Sequence, residues 1–200
     1  MTLVSGQTYP QCVAVDATNL YWTIGNTSGA VIQMPVGGGT ALTLASAQNL
    51  PYGIAVYDAD VYWANGGAGG TIMKVPVGGG TPVTVVSGQA YPNGVAVDAT
   101  GIYWTNGGLV GTVMKMPMGG GTPITLASGQ NLPNSTAVDG TNVYWINGGA
   151  GGTIMKEPVG GGTPVTLVSG QADPQALAVD GANVYWTDNG GGMVMEATPK

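Results

Sequence analysis

The chain has 200 residues, 44% of them hydrophobic and only 7% charged, with a formal net charge of −6. Four lysines, no arginine and ten acidic groups argue against nucleic acid and against an anionic membrane surface, since both draw on clustered cations. No apolar run approaches the roughly 18 residues of a spanning helix, the start Met-Thr-Leu-Val-Ser-Gly-Gln lacks the parts of a signal peptide, and one cysteine, Cys12, gives no internal disulfide framework.

Taken from the N-terminus, the chain opens with a strand-like TLVS at residues 2–5 and then repeats itself. Tyr-Trp occurs at 21–22, 62–63, 103–104, 144–145 and 185–186, a period of 41 residues. Prolines 10, 51, 92, 133 and 174 keep that phase, and so do Gln7, Gln48, Gln89, Gln130 and Gln171. Each unit carries four β-prone runs separated by Gly, Asn and Asp, which suit tight turns. In the third unit they read VAVD (95–98), IYWTN (102–106), TVMKMP (112–117) and PITLAS (123–128). Helical periodicity is absent, and the frequent glycine opposes helix in any case. Four strands per roughly 40 residues is the signature of a β-propeller blade.

The expected fold is therefore all-β, a single domain over 1–200 built as a five-bladed β-propeller of four-stranded antiparallel blades. The blades fall at about 10–46, 51–87, 92–128, 133–169 and 174–199. The last unit ends at its third strand, MVMEATPK, while Met1 is in phase with Val165. Residues 2–5 are thus expected to pair with about 193–198, closing the ring by completing the last blade and hiding its edges.

The segments PYGIAVYDADVYWAN, PNGVAVDATGIYWTN and PQALAVDGANVYWTD resemble the YWTD β-propeller repeat of low-density-lipoprotein-receptor-type proteins. They are also similar to bacterial repeat propellers of the NHL type. The resemblance covers essentially the whole chain, one unit per blade. It implies a binding role and a secreted or cell-surface location, and it makes the YWTD letters blade scaffold. Adjacent strand residues point to opposite faces, so Tyr and Trp are each expected to pack against a neighbouring blade.

Asp16, Asp98, Asp139 and Asp180 share one phase. A ring of oxygen ligands for calcium is one reading, but capping of the small-residue turn that follows each Asp is the favoured one. No metal and no cofactor is expected. The triple glycines at 37–39, 78–80, 119–121 and 160–162 lack the GK[ST] of a phosphate loop and read as hairpin turns. Lys74, Lys115 and Lys156 are expected at solvated positions near an outer edge, and the in-phase methionines as filler between blades.

The units differ most in the connector from fourth strand to next first strand: GQTYPQC, AQNLPYG, GQAYPNG, GQNLPNS and GQADPQA. This places the candidate ligand contacts at Gln7, Tyr9, Gln48, Tyr52, Gln89, Tyr91, Asn93, Gln130, Asn134, Gln171 and Gln175. Amides beside tyrosines suit hydroxyl-rich sugars or extended peptides. The competing reading is that the in-phase glutamines satisfy loop backbone. With no histidine and with scattered carboxylates, general acid–base and nucleophilic catalysis have no obvious machinery. The sequence therefore points to a noncatalytic, monomeric binding or scaffold module. A lectin-like carbohydrate binder is the first version and a peptide or protein binder the second. The near-identical units add a third, an idealised repeat protein with no selected ligand.

Overall fold

A computed structural model describes residues 2–200, which form nineteen β-strands and no helix. The first repeat gives β1 (Pro10–Val15), β2 (Asn19–Ile24), β3 (Gly29–Pro35) and β4 (Leu42–Gln48). The second gives β5 (Pro51–Tyr57), β6 (Asp60–Asn65), β7 (Ala68–Pro76) and β8 (Val83–Ala90), and the third β9 (Pro92–Asp98), β10 (Gly101–Asn106), β11 (Gly111–Pro117) and β12 (Ile124–Gln130). The fourth gives β13 (Pro133–Val138), β14 (Asn142–Asn147), β15 (Gly152–Pro158) and β16 (Val165–Gln171). The fifth gives β17 (Pro174–Val179), β18 (Val184–Asp188) and β19 (Met193–Ala197). Each repeat is one antiparallel sheet with sequential strand order, the five-bladed propeller class that the period predicts.

The chain divides into two compact units, Met1–Pro92 and Asn93–Lys200. In the first unit, Tyr21, Val31 and Ala45 on one sheet pack against Ile54, Val61 and Trp63 on the next. In the second, Tyr103, Val113 and Ala127 meet Val143 and Trp145, and Tyr144, Ile146 and Ile154 meet Val184 and Trp186. Tyr and Trp of one strand thus leave by opposite faces, Tyr toward the following sheet and Trp toward the preceding one. Trp63, Trp104 and Trp145 are fully buried, and truncating such a ring typically costs about 3–5 kcal/mol.

Proline and glycine hold neighbouring sheets close. A Cβ on Gly111 would fall 2.4 Å from the Asn106 carbonyl oxygen and 2.5 Å from the Pro133 ring, and Gly29, Gly70 and Gly152 meet Pro51, Pro92 and Pro174 alike. Only a residue without a side chain permits that approach. This explains the shared phase of the prolines.

The expected closure is not formed among the described residues. Four sheets have four strands, but β17–β18–β19 has three, and Thr2–Ser5 lie outside any strand. In the complete sheets a Gly-rich hairpin joins the third and fourth strands and fixes their register. No such turn joins Lys200 to residue 2, so that pairing would carry the loop-closure entropy of the whole chain.

One buried position departs from the repeat. Glu157 is 1% exposed, where the in-phase Val75 is fully buried, and its Oε1 accepts from the Gly162 N–H at 2.7 Å while Oε2 has no partner. Burial pushes its carboxyl above the usual range. A raised folded-state pKa means that this group opposes folding increasingly as pH rises past the unfolded value near 4.3. Glu157→Val is therefore expected to stabilise the chain by roughly 1–2 kcal/mol at neutral pH, with the gain shrinking below about pH 4. Urea unfolding of both proteins at the two pH values checks the sign.

Candidate functional site

The connector glutamines are tied into the framework. The Trp22, Trp63, Trp145 and Trp186 indole N–H groups donate to Oε1 of Gln7, Gln48, Gln130 and Gln171 at 3.0, 3.1, 2.9 and 2.8 Å. The other end of each carboxamide donates to a backbone carbonyl two residues back, at 2.8 Å for Gln48 and 2.9 Å for Gln130. Gln89 does the same toward the Ser87 carbonyl at 3.1 Å. Asn65 and Asn147 join through 2.9 Å donations to the same glutamine oxygens. The letter after Trp-Ala in the second repeat and after Trp-Ile in the fourth is thus part of a side-chain network.

The residue before four of the five connector prolines is strained. Tyr9, Leu50, Tyr91 and Leu132 all have positive φ, from 48° to 54°. This is a left-handed conformation that costs a non-glycine residue on the order of 1 kcal/mol. Backbone bonds pin them there: the Leu132 N–H donates to Gly108 at 2.8 Å, and its carbonyl accepts from Gly148 at 3.1 Å. Tyr9 and Tyr91 consequently project outward, 67% and 59% exposed.

Within the unit 93–200 this surface has a hollow of about 320 Å³. Its polar lining is Asn93, Asn134, Gln175 and Asp173, and its walls are Leu132 and the glycine backbone at 107–108 and 148–149. The Asn134 amide donates to the Pro174 carbonyl at 3.2 Å and that of Gln175 to Asp173 Oδ1 at 2.7 Å. Asn93, Asn134 and Gln175 from the sequence candidates are therefore brought together. Gln130 and Gln171 in the same unit are held by tryptophan outside the lining. In the other unit, the Tyr52 ring packs near Gly66, and its carbonyl accepts from the Thr23 hydroxyl at 2.7 Å. Leu132 and Asp173 join the lining because of the left-handed turn and the Asp188 carboxylate, which accepts from the Asp173 N–H at 2.9 Å. The hollow offers neutral donors and acceptors, one carboxylate and an apolar wall.

The in-phase aspartates cap turns. Asp16 Oδ1 accepts from the Thr18 and Asn19 N–H groups at 2.7 Å each, and Asp180 Oδ1 from Ala182 and Asn183 at 2.8 and 2.7 Å. The Tyr21 hydroxyl donates to Asp16 Oδ2 at 2.6 Å. That bond is the main reason the Asp16 carboxyl is lowered to about 2, with the turn N–H groups adding to it against burial. Asp180 is lowered to about 2 chiefly by its two backbone donors, Ala182 and Asn183. Burial, with the neighbouring Asp139 carboxylate adding to it, raises the Tyr144 phenol to about 12.

Lys115 corrects an expectation of the sequence, whereas the Lys74 side chain is 38% exposed and stays partly solvated. Lys74 pairs with Asp60 at 2.7 Å and lies over the Tyr62 ring, and the buried Lys115 donates to the Val159 carbonyl at 2.7 Å, 5.2 Å from the Tyr103 centroid. Both fold back over a tyrosine because cation–π attraction and an oxygen acceptor, the Asp60 carboxylate for Lys74 and the Val159 carbonyl for Lys115, lie within reach of the stem.

No family model and no curated relative matches the sequence. Solved structures do match. A nidogen/laminin complex aligns at TM-score 0.85 and 21% identity over 96% of this chain and 77% of that one. A gluconolactonase from Xanthomonas campestris aligns at TM-score 0.77 and 16% identity over 98% and 74%. A putative TolB from Agrobacterium tumefaciens aligns at TM-score 0.69 and 14% identity over 96% and 81%. At these identities the likeness is one of fold.

Gln130→Leu leaves the Trp145 N–H buried without its acceptor and is expected to cost about 1–3 kcal/mol of stability. Equilibrium urea unfolding monitored by tryptophan fluorescence reads the loss. Asp16→Ala tests the cap. Its depressed carboxyl contributes fully above the unfolded value near 4 and loses that contribution as pH falls through about 2. The stability gap between wild type and Asp16→Ala should therefore be constant from pH 7 to 5 and narrow below 4.

Proposed function

We propose that this chain is a noncatalytic binding module whose connector surface takes an extended polypeptide segment of a protein partner. The observation that carries the reading is the hollow of about 320 Å³ beside Leu132, a strained left-handed residue that the backbone holds against its own preference. Strain of this kind concentrates where a shape is kept for use. The amides of Asn93, Asn134 and Gln175 suit main-chain amides of a ligand, while Leu132 offers an apolar contact. The solved nidogen/laminin complex adds a precedent for protein association on this fold.

A lectin-like role is the second reading. It is favoured by the exposed rings of Tyr9 and Tyr91, flat faces on which a sugar can stack. The catalytic alternative comes from the gluconolactonase likeness. It lacks support from the hollow, whose one ionisable group among the described lining residues is Asp173.

A displayed-peptide library, a glycan array and a gluconolactone hydrolysis assay on the same preparation separate the three. Peptide ligands that lose at least tenfold in affinity, about 1.4 kcal/mol, on Gln175→Ala are expected. Glycan-only binding moves the reading to the lectin, and turnover above background ends the noncatalytic one. Leu132→Gly is a further check: relief of the left-handed strain should leave stability unchanged or raised by up to about 1 kcal/mol, while ligand affinity falls. A matching loss of stability would show that Leu132 serves packing instead.

A further inference from the structure

An asparagine followed by glycine can cyclise, because no Cβ obstructs attack of the glycine nitrogen on the asparagine carboxamide carbon. The chain holds five such pairs: Asn65-Gly66, Asn93-Gly94, Asn106-Gly107, Asn147-Gly148 and Asn189-Gly190. The attack needs an asparagine side chain free to turn and a glycine N–H that is not committed to a strong partner. In both respects one pair stands apart.

Four pairs are locked. The Asn65 Nδ2 donates to Gln48 Oε1 at 2.9 Å and to Thr71 Oγ1 at 3.2 Å, while the Gly66 N–H donates to the Leu50 carbonyl at 2.9 Å. Asn147 repeats this with Gln130 and Thr153, and the Gly148 N–H with the Leu132 carbonyl at 3.1 Å. Asn106 is 8% exposed and donates to Thr112 Oγ1 at 3.2 Å. Asn93 lies on β9, where the Gly94 N–H donates to Thr105 Oγ1 at 3.0 Å. Gly94 is also wedged in place, since a Cβ there would stand 2.4 Å from the Asn134 carbonyl oxygen.

The fifth pair lacks these restraints. Asp188 occupies the phase of Asn65, Asn106 and Asn147, so Asn189 falls one place later, past the end of β18 and in the turn to β19. There it is exposed, and its carboxamide has no partner among the described residues. The Gly190 N–H lies outside the ladder. It is the weakest of the backbone donors that hold the Asp188 carboxyl below its usual range, the Ala172 N–H being the strongest.

We infer that Asn189 is a site of spontaneous deamidation in the folded protein, and that the fold protects the other four Asn-Gly pairs. The Gly190 nitrogen attacks the Asn189 Cγ, the Cγ–Nδ2 bond breaks, and the amide nitrogen leaves as ammonia with the proton that Gly190 gave up. Water then opens the five-membered imide at either carbonyl, its hydroxyl going to carbon and its proton to nitrogen. The product at position 189 is aspartate or isoaspartate, with one added negative charge, and no oxidant or reductant is consumed. The isoaspartate route also lengthens the main chain by one carbon. That change falls beside the fifth connector, because the Asn189 N–H donates to the Asp173 carbonyl at 2.9 Å and a Cβ on Gly190 would stand 2.7 Å from that of Ala172. Conversion therefore loosens the segment that sets Asp173 in the hollow, whatever the hollow binds.

The test is peptide mapping by mass spectrometry of the full chain kept at mildly alkaline pH, native in one sample and unfolded in guanidinium chloride in another. In the native sample Asn189 is expected to gain one mass unit at least about tenfold faster than the other four, which react only from locally opened states. In guanidinium chloride the five rates should converge. Asn189→Gln, a change at an exposed position, should abolish the fast native gain. The inference is overturned if Asn189 stays intact in the native chain while the unfolded chain converts, or if another pair converts as fast in the native chain. Rates that stay equally far apart in guanidinium chloride would assign the difference to local sequence and overturn the protection by the fold.

Discussion

Burying five tryptophans creates an obligation that shapes much of the molecule. An indole N–H removed from water needs an acceptor, and a strand that buries Trp between two sheets has its own backbone groups committed to the ladder. The acceptor comes from fifteen residues earlier, in the connector that leads into the same repeat. That one bond ties the end of one sheet to the middle of the next. It also fixes where the connector turns, and so where proline meets glycine and which residue is forced into the left-handed region.

The repeated letters divide the labour. Tyrosine seals one sheet against the following one and caps the aspartate turn. Tryptophan seals the opposite face. Threonine bridges, as Thr105 does in donating to the Asn134 carbonyl at 2.6 Å while accepting from the Gly94 N–H at 3.0 Å. With those positions committed, the repeats differ most in the few connector residues that the network leaves over. A surface of variable groups on a fixed frame is what a binding module requires.

The fold was legible because its signal is periodic and local: Tyr-Trp, proline and glycine recur in phase, and each strand follows its neighbour. The candidate site was only partly legible. Gln130 stands out in the sequence for its phase, but its partner Trp145 can be named only once strands are laid side by side. Asn93, Asn134 and Gln175 could be anticipated from their place after proline. Leu132 could not, since a leucine gives no hint of positive φ. Lys115 misled because a lone cation in a strand reads as solvated, whereas tyrosine and a carbonyl beyond its own sheet receive it. The open fifth sheet was hidden for a related reason: phase shows which residues match a missing strand and says nothing about the entropy of bringing them home.

The near-identity of segments 69–89 and 151–171 has a consequence at the level of genes. Within each compact unit the buried faces described for a repeat meet the repeats directly before and after it, through the same residue pairs each time. An in-frame gain or loss of one whole unit by unequal recombination would therefore present every new junction with a face it already fits. Such a coding sequence can lengthen or shorten without first evolving a new interface. The cost falls on the terminal sheets alone.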